Sequence, residues 1–252
     1  MSHIRSLLYF AILTVVTPPW AALMILAFWL PHRGRRWMAK PWVKFNNWLI
    51  WHLLGITYEV RGAERIPREA SVILCKHQSA WETFILQDVF RDTVYVWKKE
   101  LKRIPFFGWA LAVTPMISID RSAGMDALRQ LTDQGGERLR QDYNVIIFPE
   151  GTRAPPGYKR RYKSGGAHLA ISAGAPVVPV ALNSGEVWGK NAFVKSAGRV
   201  VVSIGPPIAT VGRDADAVTA EAEAWIEAEM RRISPQLYNP DVPTPIATRA
   251  RT

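Results

Sequence analysis

The sequence predicts an α/β domain preceded by a membrane-associated helical segment. Three observations lead there. Between residues 55 and 233, short apolar runs of strand length alternate with stretches long enough for helices. From residue 7 to residue 30 there is no charged side chain. The polar clusters with chemical capacity each follow an apolar run, where open α/β sheets carry their ligands.

Composition bounds the rest. A chain of 252 residues holds one such domain with an appendage. The formal net charge of +11 demands a polyanionic partner, which nucleic acid or an anionic membrane lipid surface would supply. Eleven tryptophans favour the membrane, because indole concentrates where an apolar body meets a wet edge. No nucleic acid is expected. The single cysteine, Cys75, excludes an internal disulfide and a multi-cysteine metal site. Its place in a predicted buried strand marks a packed, inert thiol in a reducing compartment. No HExxH pattern occurs, so no metal is expected.

At a helical rise, residues 7–30 would extend about 36 Å, enough to cross a bilayer. Pro18 and Pro19 divide them into arms of roughly ten residues, each too short to span alone. Arg5 lies before the stretch; Arg33, Arg35, Arg36, Lys40 and Lys44 lie after it. Positive flanks stay cytoplasmic, so both ends sit on one side. The segment therefore reads as a membrane-embedded helical hairpin, bent at the prolines, in the cytoplasmic face of the inner membrane, with a kinked span as the alternative. Residues 40–54 space their apolar side chains as an amphipathic helix, which Gly55 ends. Residues 1–54 thus form the membrane-associated unit.

Strands follow at 56–60, 71–75, 94–97, 115–119, 144–148, 177–182 and 200–204, each a short apolar run. Helices are expected at 83–90, at 123–141 with a loosening at Gly135 and Gly136, at 167–173, and at 218–233. His168 falls within one of these and reads as structural. The domain closes at 233. Beyond it, Pro235, Pro240, Pro243 and Pro245 make 234–252 an extended or disordered tail.

The chemistry centres on residues 76–82, Lys-His-Gln-Ser-Ala-Trp-Glu, at the end of a predicted strand and the start of a helix. A carboxylate at Glu82 could hold one imidazole nitrogen of His77 as a donor and leave the other free to take a proton. Residues 79–82 also fit a capping box, in which Glu82 serves only the helix. Five residues on one helix do not share a face, so the pair can meet only if the chain bends at Ser79. The next strong strand delivers Pro149, Glu150, Gly151, Thr152 and Arg153 to the same edge. Gly151 permits close approach of a ligand to the backbone, and Arg153 offers the planar fork that a phosphate accepts. Alternatively, Glu150 and Arg153 bridge one another across a turn. The basic run at 158–166 lacks a phosphate-loop frame, since Tyr162 stands where glycine is required. It suits anionic lipid or an acidic protein. No G-x-S-x-G elbow is present, so no serine nucleophile is visible.

In order, residues 76–82, then 99–101 with 104–109 and 117–121, then 148–153, then 178–182 resemble the four motif blocks of the 1-acylglycerol-3-phosphate acyltransferase (lysophosphatidate acyltransferase) family. The resemblance covers roughly residues 55 to 205. It implies a mixed, largely parallel sheet flanked by helices, as in glycerolipid acyltransferases. It implies acyl transfer from acyl-CoA or acyl-ACP (acyl carrier protein) to the 2-hydroxyl of lysophosphatidate, giving phosphatidate, with no cofactor beyond that co-substrate. It makes His77 and Glu82 catalytic and sets Arg121, Glu150, Gly151, Thr152, Arg153 and Lys99 around the acceptor's phosphate. The family's first block usually ends in Asp; Glu82 is one methylene longer. Two rivals stand beside this reading: an acyltransferase for another lyso-lipid, such as a lyso-ornithine lipid or lysophosphoglyceride, and a basic membrane-binding module without catalysis.

Overall fold

A computed structural model describes residues 1–120, 122–238 and 244–247. Two helices lead, α1 (Ser2–Leu26) and α2 (His32–His52). The domain then runs β1 (Ile56–Arg61), β2 (Val72–Cys75), α3 (Glu82–Val89), β3 (Thr93–Lys98), α4 (Phe107–Ala112) and β4 (Ile117–Ile119). It continues with α5 (Met125–Arg140), β5 (Asn144–Ile147), α6 (Gly165–Ala173), β6 (Val177–Leu182), β7 (Gly198–Ile204) and α7 (Ala215–Ile233).

The strands form one sheet in the order β1-β7-β6-β2-β5-β3-β4. Neighbours run parallel except β6 and β7, so the mixed, largely parallel sheet is present. The strands β2, β3, β4, β5 and β6 therefore end at one edge. Alternate side chains serve two cores, as the pleat requires. Ile73 and Cys75 of β2 face a layer that includes Tyr9, Leu49, Ile50 and Leu86 of the first three helices. Val72 and Leu74 face Leu131, Leu169, Val218 and Ala222 on α5, α6 and α7. Buried on both faces, β2 has no polar residue from 72 to 75.

Three expectations change. The break expected at Pro18 and Pro19 does not occur, because α1 runs through both. The two prolines remove helical donors yet keep a helix-compatible φ. The chain instead turns between residues 27 and 31, where Pro31 precedes the first residue of α2. Gly135 and Gly136 do not loosen α5; Gly135 lets α6 approach, since a Cβ there would lie 2.6 Å from Leu169 Cδ2. The tail also returns to the domain. Tyr238 is buried, and Lys159 exchanges backbone hydrogen bonds with Pro245 (2.9 Å) and Ala247 (2.8 Å).

The leading helices lie against the domain along their length. Lys195 N–H donates to Ser6 Oγ at 2.9 Å, Tyr9 packs edge-on to Trp188, and Ala21 and Met24 are buried further along α1. Arg36 of α2 pairs with Asp92 at 2.9 Å, just ahead of β3. Outward, Leu7, Phe10, Val15, Leu26, Trp29 and Trp37 remain exposed. By length and composition α1 could cross a membrane.

The two α5 glycines give a paired test. Gly135→Ala should destabilise the domain by about 1–3 kcal/mol, the usual range for overpacking. Gly136→Ala, whose Cβ would meet only Arg140 Nη1 at 3.5 Å, should stabilise it by roughly 0.5–1 kcal/mol through helix propensity. Denaturant midpoints decide; stabilisation by both would restore the loosened-helix reading.

Candidate active site

Three strand ends build the site. After β2 the chain stays in the sheet for one residue, with Lys76 N–H bonded to Val180 O at 2.9 Å, then leaves it at His77. After β5 it turns through Gly151, whose φ of 69° is in the region that favours glycine. Ala154 N–H then donates to the His77 carbonyl at 2.8 Å. After β6 comes Ser184, fully buried.

The bend at Ser79 brings His77 and Glu82 together. His77 Nδ1 lies 2.5 Å from Glu82 Oε2, and the Glu82 side chain has no exposure. Its other oxygen, Oε1, accepts from the backbone N–H of Ser79 (2.7 Å) and Gln78 (2.8 Å) and from Ser184 Oγ (2.6 Å). Glu82 therefore touches the imidazole with one oxygen and the amides ahead of the helix with the other. Only half of the expected capping box forms, because Ser79 Oγ accepts from Trp81 N–H rather than from residue 82. The His77 ring stacks on Phe148, centroids 3.9 Å apart and planes 15° apart. It is 16% exposed, and Nε2 has no partner among the described residues. A neutral imidazole held by its Nδ1–H against a buried carboxylate keeps a lone pair on Nε2.

Glu150 was expected at the acceptor's phosphate, and the geometry corrects this. Its carboxylate is buried: Oε1 takes Lys76 Nζ (3.0 Å) and Arg160 N–H (3.0 Å), and Oε2 takes the His77 backbone N–H (3.0 Å). An occupied, buried anion cannot receive a phosphate. Burial pushes its carboxyl above the ordinary range, against Lys76 and the two amides, which draw it down. Nor does Glu150 bridge Arg153. Arg153 is half-buried on the same loop, and its Nη2 reaches Asn191 Oδ1 at 3.4 Å. Gly151 and Thr152 lie beside it, and Lys163 passes close, its Nζ 3.7 Å from where a Cβ on Gly151 would stand.

Lys99 starts a 3₁₀ turn (Lys99–Arg103) after β3, on the same edge but two strands from β2. Asp120 is held low mainly by its bonds from Ser122, with Lys99 adding to the effect. Arg121 lies outside the described residues. Cys75 is fully buried, and burial pushes its thiol up, which leaves it unreactive. Among the described residues no three His, Cys, Asp or Glu gather as metal ligands.

Sequence reasoning missed Ser184, Lys76 and Glu227. Glu227 of α7 takes Lys76 Nζ at 2.7 Å. Two of these carried a signal. Lys76 extends a wholly buried strand, and Glu227 falls on the α7 stripe marked by Ala222, Ile226 and Met230. A charge in either place needs a buried partner. Ser184 carried none.

A family model described as Acyltransferase matches residues 57–183. A 1-acyl-sn-glycerol-3-phosphate acyltransferase of Pseudomonas aeruginosa is 44% identical over 237 residues, covering 92% of each chain. A 1-acyl-sn-glycerol-3-phosphate acyltransferase alpha of Mus musculus is 34% identical over 69% of this chain and 62% of its own. The crystal structure of PlsC from Thermotoga maritima, a 1-acyl-sn-glycerophosphate (LPA) acyltransferase, is similar in fold, with a TM-score of 0.75 at 24% identity. That likeness covers 93% of this chain and 98% of the other. Matched by the domain model across its central sheet and by a relative along nearly its whole length, the chain belongs to the 1-acyl-sn-glycerol-3-phosphate acyltransferase family.

Proposed function

We propose that the chain acylates the 2-hydroxyl of 1-acylglycerol 3-phosphate, with His77 as general base and Glu82 as its orienting partner. The observation that carries this is the 2.5 Å His77–Glu82 contact at the sheet edge, with Nε2 unpartnered among the described residues. The acceptor hydroxyl is a poor nucleophile until its proton moves to Nε2 as the oxygen attacks the thioester carbonyl. The tetrahedral oxyanion then collapses, the carbon–sulfur bond breaks, and the departing sulfur takes the proton from Nε2. Glu82 stabilises the imidazolium between these steps, as the acid of a triad does whose hydroxyl belongs to the substrate. No acyl-enzyme is needed.

Arg153, Lys163 and the Gly151–Thr152 turn make the cationic side of this site, and they would receive the acceptor's phosphate, with Arg121 and Lys99 as further cations. The donor would be acyl-CoA or acyl-ACP; the basic run around Arg160, Arg161 and Lys163 suits either polyanion. Membrane association rests on the exposed apolar faces of α1 and α2. Since Tyr9 near one end of α1 and Met24 near the other both pack into the same molecule, the helix fits a single leaflet better than a span. Labels at Ser2 and Arg33 should then be reachable from the cytoplasmic side alone.

The test begins with His77→Ala, which should lower kcat by about 10²–10⁴ at a temperature where the variant is folded. Activity within a few-fold of wild type would remove His77 from the role. Glu82→Gln is more telling. Its amide oxygen is wanted by two backbone N–H groups, so its NH₂ must turn to Nδ1, forcing the proton to Nε2 and abolishing the base. A comparable loss is expected; near-silence would leave Glu82 with the helix start alone.

The acceptor's phosphate is tested by kcat/KM for 1-acylglycerol against 1-acylglycerol 3-phosphate. A site built of cations should reject the acceptor lacking phosphate by roughly 10⁴–10⁵. Arg153→Lys should impair only the phosphate acceptor, since Lys keeps the charge and loses the fork. A wild-type ratio near one would point to a different lyso-lipid.

A further inference from the structure

Beneath the site lies a buried ion cluster that the acyl-transfer steps do not use. Lys76 has no exposure, and its ammonium is fully engaged: Glu150 Oε1 at 3.0 Å, Glu227 Oε1 at 2.7 Å and Tyr158 O at 3.1 Å. Tyr162 OH also donates to Glu227 Oε1 at 3.1 Å. Glu227 Oε2 is buried without a partner among the described residues. Burial opposes the Lys76 charge, yet the two carboxylates hold its ammonium above the ordinary lysine value. Glu150 then passes the constraint on, because its second oxygen holds the His77 backbone N–H.

We infer that Glu227, on the C-terminal helix, is a positioning residue for His77, acting through Lys76 and Glu150. This rests on His77 being the base. Three buried groups in series leave the His77 backbone one place to stand. With Glu227 removed, Lys76 keeps only Glu150 and a carbonyl, so ammonium and carboxylate shift together and His77 moves with them. A displacement of about 1 Å at a reacting group lowers rate by roughly 10².

The experiment compares Glu227→Ala with Val218→Ala, a buried α7 residue on the other core, at a temperature where both are folded. It reads kcat, KM and the hydrogen-exchange rate of the His77 amide. Glu227→Ala should lower kcat by about 10–10² with KM within roughly twofold, and His77 N–H should exchange faster. Glu227→Gln, which keeps an oxygen for Lys76, should recover most of that loss. Val218→Ala should lower the melting temperature and leave kcat and His77 exchange alone. Wild-type kcat and exchange in Glu227→Ala, or equal losses in Val218→Ala, would overturn the inference. If the alanine variant does not fold, Glu227→Asp carries the test, since it keeps the charge and shortens the reach; wild-type values there overturn it too. Amide exchange does not depend on turnover, so failure of His77 as the base would be seen separately.

Discussion

A single carboxylate organises the site. Glu82 has no contact with solvent, and an ion so placed costs several kcal/mol in lost hydration unless polar groups replace the water. Four do: the amides of Gln78 and Ser79, the hydroxyl of Ser184 and the ring nitrogen of His77. Charge-assisted bonds of this kind are roughly twice as strong as neutral ones. The donors come from the β2 loop and the end of β6, so the carboxylate that orients the imidazole through one oxygen fastens two parts of the sheet edge through the other. The extra methylene of Glu over Asp does not spoil this arrangement.

Charge is sorted by depth. The floor is anionic and dry, with Glu150 and Glu227 set around one buried ammonium and Glu82 against the His77 ring. The rim is cationic and wetter, with Arg153, Arg160, Arg161 and Lys163 on the loop after β5. The buried carboxylates hold Lys76 and His77 in place, and the outer cations remain for anionic substrates and lipid. The net charge of +11 is thus largely a surface property.

Much of this was readable in the chain. The strands were, because a sheet covered on both faces needs uninterrupted apolar runs, and β2, β5 and β6 have them. The His77–Glu82 pair was readable as an alternative to a capping box, and Glu82 touches the imidazole with one oxygen and the amides ahead of the helix with the other. What failed were inferences from single residues whose neighbours lie far away in sequence. Pro18 and Pro19 spoke for a break, but the helix runs through both. Gly135 spoke for looseness, but Leu169 on α6 takes the space a side chain would need. Glu150 stood beside an arginine in sequence and beside Lys76 in space. Ser184 gives no periodicity or charge by which to find it.

The central claim is that Glu82 fixes the His77 proton on Nδ1 and leaves Nε2 as the base. Ring-nitrogen NMR of His77, in protein labelled with ¹⁵N-histidine, reads this directly. In the neutral ring the account predicts a protonated Nδ1 and a bare Nε2 in wild type, reversed in Glu82→Gln. A wild-type His77 carrying its proton on Nε2 would contradict it.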